Sequence, residues 1–475
     1  MPERAAAGRS DRLPDPAEVG RPWLAAYPPG VPPTYPLPAV ALTRLLDDAV
    51  HDFPDHVAVE HRGHRLSYRE LGDHVDRLAA AFAELGVGPG DRIGVLLPNV
   101  PQHVVVLFAA WRRGAAVVEV GVRADAETVS RRLDDTGCRL VVCWDPVYDR
   151  LAQLKGRLGT VGHVIGSGAT DYAPLLRSLA HPILGRREQT VARIPASEGV
   201  LRLRDLVDRS TPARDPQPAP PVDAPALLAY PRGGTASTGA VVLTHRNLLA
   251  NAFQTRLWIP DVKAGQEAVL CVAPLDHVYG VTAGVGLGVL SAATLILEPR
   301  TDTDALGRAV SRARPTLLPG WPRLFARLLE QGRRRDLSSL RVCLSAGDAL
   351  PAEVAAAVEQ RTGARLREAY GLTEAAPLTH ANPVYGRAKP GSVGLPLPDT
   401  AMLLVDPDDP RRVAPPGAPG ELAVAGPQVA RSYWHRPAAT AAVVRDGWLL
   451  TGDLASVDAD GYVTLHGRKA ERTGD

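Results

Sequence analysis

Short apolar runs alternate with amphipathic stretches through the first third of this chain, and that alternation narrows its fold more than any other feature. Ser67 to Glu70 has the Ser-x-x-Glu spacing of a capping box, where serine and glutamate side chains satisfy free backbone N–H groups at a helix start. Leu71, Val75, Leu78, Phe82 and Leu85 then recur at helical spacing, and Gly86 to Gly90 closes the helix. Arg92 to Leu97 reads as a short apolar strand, Gln102 to Arg113 as a helix, and Ala115 to Val120 and Leu140 to Trp144 as further strands. Strands that alternate with helices pair in parallel and are covered on both faces. The fold class expected is therefore α/β.

The pattern resumes after a Pro-rich connector, residues 211–225. The strand Leu227 to Tyr230, a Gly/Thr loop, the strand Val241 to Thr244 and the helix Arg246 to Leu257 follow. The longest apolar run, Val281 to Leu297, is broken by glycines and Ser291. It reads as a buried helix followed by a strand rather than a membrane span. After Thr400 the pattern changes to short strands, Met402 to Val405, Gly420 to Val424 and Tyr462 to Leu465, which suggests a small β-rich subdomain. The expected division is a loosely held segment over 1–36, a first α/β subdomain over 37–215, a second over 216–399 and the small β subdomain over 400–475.

Composition bounds the function. Net charge is +2, so no bulk field attracts nucleic acid or an anionic membrane. Cys138, Cys143, Cys271 and Cys343 have no metal-type or disulfide-scaffold spacing, so buried free thiols and a cytoplasmic setting are expected. The first sixteen residues have no apolar core and do not read as a secretory signal. Lysine occurs only at 155, 263, 389 and 469, and arginine supplies the other positive charges.

Two stretches carry chemistry. Tyr370-Gly371-Leu372-Thr373-Glu374 places a glycine, a hydroxyl and a carboxylate behind an expected strand. Gly371 would let the backbone approach a ligand, Thr373 could donate to a phosphate oxygen, and Glu374 is a hard oxygen ligand for Mg²⁺. The plain alternative is a surface loop rich in turn residues. Ala229 to His245, AYPRGGTASTGAVVLTH, sets a Gly/Thr loop between two strands. Its N–H groups and hydroxyls could surround a phosphate, or it could be an ordinary hairpin.

These stretches resemble the adenylate-forming superfamily of acyl-CoA synthetases, peptide-synthetase adenylation domains and firefly luciferase. Residues 379–400, THANPVYGRAKPGSVGLPLPDT, look like the long-chain fatty-acid–CoA ligase branch. The resemblance runs from Arg21 to Lys469. It implies a large N-terminal domain of two mainly parallel sheets with a small β subdomain. It also implies ATP-dependent activation of a carboxylic, fatty or related, acid to acyl-AMP, with Mg²⁺, and transfer to CoA or a phosphopantetheinyl carrier. Gly233, Gly234 and Thr235 would contact phosphate, Gly347 and Tyr370 the adenine, and Asp453 and Arg468 the ribose or phosphate. Gly371 would sit beside the nucleotide. Thr373, Glu374 and His277 would be catalytic, with Glu374 on the metal and His277 beside the acyl group.

Two departures bear on activity. With Tyr230 and Leu243-Thr244-His245 in register, Gly239 stands where the family's loop has lysine, so lysine at 239 would restore the lost charge. Asp276 stands where the fatty-acid branch prefers Phe, and either faces a polar acyl group or turns outward. After Arg468 the family has a hinge and a mobile C-terminal domain, and this sequence ends at Asp475. The expectation is an impaired adenylating enzyme, or one needing a partner: a separate C-terminal domain or an acyl carrier protein. A non-catalytic AMP- and acyl-binding scaffold stays open beside it. No nucleic acid and no transmembrane segment are expected.

Overall fold

The computed structural model describes residues 12–154, 156, 158–172, 194, 200–213, 218–231, 239–330 and 335–469. Three sheets organise them. The first runs in the spatial order Leu201–Arg202, His163–Ser167, Leu140–Trp144, Arg92–Leu96, Ala116–Glu119, Pro225–Ala229 and Val241–Thr244. Its pairings are parallel except the last, between Pro225–Ala229 and Val241–Thr244. The second runs Leu395–Pro396, Leu378–Ala381, Arg365–Gly371, Val342–Ser345, Leu317–Gly320, Ala268–Cys271, Thr294–Leu297, Val57–His61 and His64–Ser67. It is parallel at its centre and antiparallel at both ends. The third is small and antiparallel, built on Ala401–Val405, Gly420–Ala425, Trp448–Val457 and Val463–Arg468.

Period-two alternation within continuously apolar strands sets the layers. In the first sheet Ile93, Val95, Val117, Leu140 and Val142 face the central core, while Leu96, Val118, Val141 and Cys143 face the opposite side. The central core also takes Leu71, Val75 and Leu78 of the helix Tyr68–Glu84, Val104 to Ala110 of the helix Pro101–Arg112, and Leu248 of the helix His245–Trp258. Val59, Val269, Leu295 and Val342 of the second sheet close it from the other side. Helices Thr303–Ala313, Pro322–Leu329 and Ala352–Thr362 cover the outer face of the second sheet. The capping box forms as the spacing predicts, with Ser67 Oγ accepting from Glu70 N–H and Glu70 accepting from Ser67 N–H.

The sheets do not respect a sequential boundary at 215/216. Strands Val57–His61 and His64–Ser67 join the second sheet, and Pro225–Ala229 and Val241–Thr244 join the first. Strand periodicity reports burial and not which edge a strand will pair with, so this interleaving is a tertiary fact. The described part of the N-terminal segment is also better held than its composition suggests. Trp23 and Leu13 are buried, Tyr27 Oη donates to Pro396 O at 2.6 Å, and Trp448 Nε1 donates to Pro14 O at 2.8 Å. Aromatic and leucine anchors hold a stretch whose prolines and charges read as loose. Gly280–Gly286 forms π-helix leading into Leu287–Leu290 and the strand Thr294–Leu297. Among the described residues no helix is long and apolar enough to cross a membrane. All four cysteines are free and buried, and burial pushes the thiols of Cys138, Cys143 and Cys271 up to about 12.

Candidate active site

Asp453 stands where the third sheet loses register. Leu450 pairs with Ala423 and Leu454 with Glu421, so Thr451, Gly452 and Asp453 together oppose Leu422 alone. Gly452 adopts φ +73°, a left-handed conformation that glycine takes without steric cost. Thr451 Oγ1 donates to Leu422 O at 2.8 Å and accepts from Asp453 N–H at 3.1 Å. A bulge of this kind re-aims the side chain that follows it. Here it meets the end of the second sheet. Tyr370 Oη donates to Asp453 Oδ2 at 2.5 Å, and Arg468 Nη1 donates to Asp453 Oδ1 at 3.2 Å and to Thr451 O at 3.1 Å. Burial, and then the Asp453 carboxylate, raise the Tyr370 hydroxyl well above the ordinary tyrosine range, so Tyr370 stays a donor. Asp453 thus meets Tyr370, 83 residues before it, and Arg468, 15 residues after it, all three marked in the sequence.

Tyr370 and Gly371 belong to the strand Arg365–Gly371 itself. A Cβ at Gly371 would lie 1.9 Å from Pro377 O, so this chain's own backbone makes a close approach there. Thr373 to Ala375 form a single 3₁₀ turn, with Thr373 buried. Glu374 Oε1 accepts from Tyr433 Oη at 2.6 Å, and Glu374 O accepts from Ala430 N–H at 2.7 Å. The helix His245–Trp258 holds this turn in place. Asn251 donates to Leu378 O at 2.7 Å and accepts from Leu378 N–H at 3.1 Å, while Asn247 donates to Pro427 O and Val429 O. Among the described residues no group of three or more His, Cys, Asp or Glu side chains could hold a metal. A single carboxylate at Glu374 fits Mg²⁺ that keeps water and substrate phosphate oxygens as its other ligands.

His277 lies on the loop after the strand Ala268–Cys271. Asn99 pins that loop, donating to Cys271 O and Ala273 O at 2.9 Å each and accepting from Leu275 N–H at 3.0 Å. His277 Nδ1 accepts from Tyr279 N–H at 3.2 Å. Tyr279 Oη donates to Leu344 O at 2.9 Å, which ties this loop to the strand leading to Ser345 and Gly347. Gly347 is exposed, with φ +101° and open space where a Cβ would sit. Asp276 is half-buried, and its Oδ2 lies 2.8 Å from the Cβ position of Gly121. It also acts electrostatically on the buried pair His103 and Glu119, joined at 2.9 Å.

Gly233, Gly234 and Thr235 lie outside the described residues. Gly239, beside them, corrects the idea of restoring a lysine. It has φ +72°, and a Cβ there would meet Arg436 Cγ at 3.0 Å. Arg436 is held by Asp135 at 2.5 Å, and Asp135 also accepts from Tyr230 Oη at 3.0 Å. A side chain at 239 would need both a strained backbone and a displaced arginine.

The sequence reading missed Tyr433, Asn99 and Asn251, each of which holds a marked segment by hydrogen bonds. Only Asn247 left a trace, in the Thr244-x-x-Asn cap of its helix.

Residues 46–434 match the family described as AMP-binding enzyme. The chain belongs to that family. Among curated members, the long-chain-fatty-acid–CoA ligase of Bacillus subtilis (strain 168) is 34% identical over 458 residues, covering 95% of this chain and 80% of the relative. Feruloyl-CoA synthase of an Amycolatopsis species is 34% identical over 414 residues, covering 86% and 74%. Among solved structures, an anthranilate–CoA ligase in complex with anthranoyl-AMP aligns with TM-score 0.79 at 22% identity, over 92% of this chain and 78% of that one. A long-chain-fatty-acid–CoA ligase from Archaeoglobus fulgidus aligns with TM-score 0.79 at 20% identity, over 94% and 88%. The α/β architecture of this AMP-binding enzyme, with its small antiparallel sheet, is that of the acyl-CoA ligase N-terminal domain.

Proposed function

We propose that this chain activates a small-molecule carboxylic acid, fatty or related, with ATP. A substrate carboxylate oxygen attacks the α-phosphorus of ATP, the bond to pyrophosphate breaks, and acyl-AMP forms. A thiolate of CoA or of a phosphopantetheinyl carrier protein then attacks the acyl carbon and AMP leaves. The observation that carries this reading is the convergence of Tyr370 and Arg468 on Asp453 at the junction of two sheets. Two carboxylate oxygens suit the two hydroxyls of a ribose, the Tyr370 ring offers a face for the base, and Arg468 supplies positive charge. Thr373 and Glu374 stand one turn further on; in this reading Gly347 would contact the adenine and His277 the acyl group. Glu374 would hold Mg²⁺, which when bound would offset the charge of the phosphates. The loop with Gly233, Gly234 and Thr235 would take the phosphates themselves. Free buried cysteines support a cytoplasmic setting.

Carboxylate-dependent exchange of labelled pyrophosphate into ATP tests this. Exchange should be measurable and slow, should fall at least tenfold in Asp453→Asn, and should lose its Mg²⁺ dependence or vanish in Glu374→Gln. An unchanged Mg²⁺ profile in the latter removes Glu374 from the metal site. An acyl carrier protein, if it is the acceptor, should raise turnover when added with the carboxylic acid and ATP.

A second reading, an AMP- and acyl-binding scaffold without turnover, is favoured by Gly239, where a positive φ and the 3.0 Å approach of Arg436 Cγ both work against a charged side chain. Removing one preorganised donor to developing charge costs about 3–4 kcal/mol of transition-state stabilisation. Calorimetric binding of AMP with no exchange for any carboxylic acid tried would establish that reading over the first.

A further inference from the structure

Glu421 is a buried carboxylate that neither the sequence motifs nor the proposed chemistry uses. It is 4% exposed and lies opposite the bulge that carries Asp453. Ordinary sheet pairing would give Gly452 N–H a backbone carbonyl. The bulge removes that partner, and Glu421 Oε1 replaces it, accepting from Gly452 N–H at 3.0 Å. Its other oxygen, Oε2, accepts from Lys469 Nζ at 3.0 Å. Lys469 directly follows Arg468, the residue that donates to Asp453 from the other side. One side chain therefore holds both flanks of Asp453: the residue before it on Trp448–Val457, and the residue after Arg468 on the neighbouring strand.

That neighbouring pairing is itself irregular. Asp453 pairs with Arg468 and Ala455 with Leu465, so an extra residue sits in Val463–Arg468 at this point. Asp453 is thus flanked by broken ladders on both sides, and backbone hydrogen bonds alone do not fix its direction. A buried carboxylate is costly unless hydrogen-bonded and paired, and Glu421 is both. Its pairing spans the two strands whose mutual register the bulges loosen.

We infer that Glu421 is a positioning residue for nucleotide recognition: it fixes the Thr451-Gly452-Asp453 bulge and the Arg468-Lys469 strand end so that Asp453 presents both oxygens to a ribose diol. This inference rests on the proposed role of Asp453. Because it concerns the direction of a diol-binding carboxylate, it predicts a change in selectivity and not only in strength. The two substitutions differ usefully. Glu421→Gln keeps an acceptor for Gly452 N–H and loses the charge facing Lys469. Glu421→Ala loses both.

The test is calorimetric binding of AMP and of 2′-deoxy-AMP to the full chain. The original protein should prefer AMP by tenfold or more. In Glu421→Ala the preference should collapse to within about threefold, mostly through weaker AMP binding, and Glu421→Gln should recover part of it. If Glu421→Ala does not fold, Glu421→Gln alone decides, with an expected loss of at least threefold in the preference. A role in stability alone would lower the melting temperature and leave the AMP to 2′-deoxy-AMP ratio unchanged, which overturns the inference. If the original protein binds no AMP, the nucleotide reading fails and the inference fails with it. Binding with an intact ratio in both variants sinks only the role of Glu421.

Discussion

In the proposed site Asp453 is the carboxylate that would meet the ribose. Its two oxygens are occupied by Tyr370 and Arg468, so a diol must replace or share these contacts. Tyr370→Phe removes one competitor and leaves the aromatic face in place, so AMP affinity should change by less than threefold in calorimetry. Asp453→Asn removes the charge and half the acceptor capacity, and should cost far more. Gly239→Lys, attractive from the sequence, should lower stability: a side chain in a left-handed conformation costs roughly 1–2 kcal/mol before the clash with Arg436 is counted. A lower melting temperature with no gain in pyrophosphate exchange is the expected result. Glu368 offers a pH-dependent check. Burial raises its carboxyl to about 7, so the folded state holds a proton that the unfolded state releases near its ordinary value of 4.5. Its contribution is fully present below that value and is lost as pH rises through 7. Glu368→Gln should therefore gain stability over the parent at pH 8 and not at pH 4, by on the order of 1–2 kcal/mol after allowing for partial solvent access. Paired urea titrations at the two pH values measure it.

Helix His245–Trp258 does more than cover a sheet. Its start follows directly from the strand Val241–Thr244, with Thr244 and Asn247 capping each other. Asn247, Asn251 and Gln254 then reach across to the segments after Glu374 and before Tyr433. A helix fixed to the end of one sheet thereby sets the position of the turn at the end of another. Asn251→Ala leaves Leu378 N–H and C=O buried without partners, at about 1–3 kcal/mol for each group so orphaned. Urea unfolding should show a loss of about 2–4 kcal/mol, and exchange activity should fall with it because the Glu374 turn loses its anchor. The elements themselves were largely legible. Leu140–Trp144 and Val241–Thr244 have the bounds their apolar runs suggest, and the helix begun at Ser67 has the cap its spacing announces. The asparagine face was not legible, because a polar residue that bonds to a distant backbone looks the same in sequence as one that bonds to water.

The chain as a folded unit buries several groups that water would otherwise keep charged. His245 and His380 are almost fully enclosed, and burial lowers them to about 4 and about 3. Between those values and the ordinary 6.5 the unfolded chain takes up protons that the folded chain refuses. The contribution of these two histidines should therefore be complete above pH 6.5 and decline as pH falls toward 4. Thermal melts between pH 7 and pH 4.5 should show a steady fall in midpoint, and a flat profile would mean that one or both rings are solvated. His245 also sits at a helix start, where the helix dipole disfavours a cation, which adds to the same trend. The amino-acid order alone gave the α/β class and many of the elements, because periodicity, caps and turn residues are local and act within a few positions. Folding settled which strands share a sheet, why Gly371 and Gly239 must lack side chains, and that Glu421 backs Asp453. Those depend on which segments the fold brings together, from Pro377 against Gly371 to Arg436 against Gly239, and local sequence pattern does not report that.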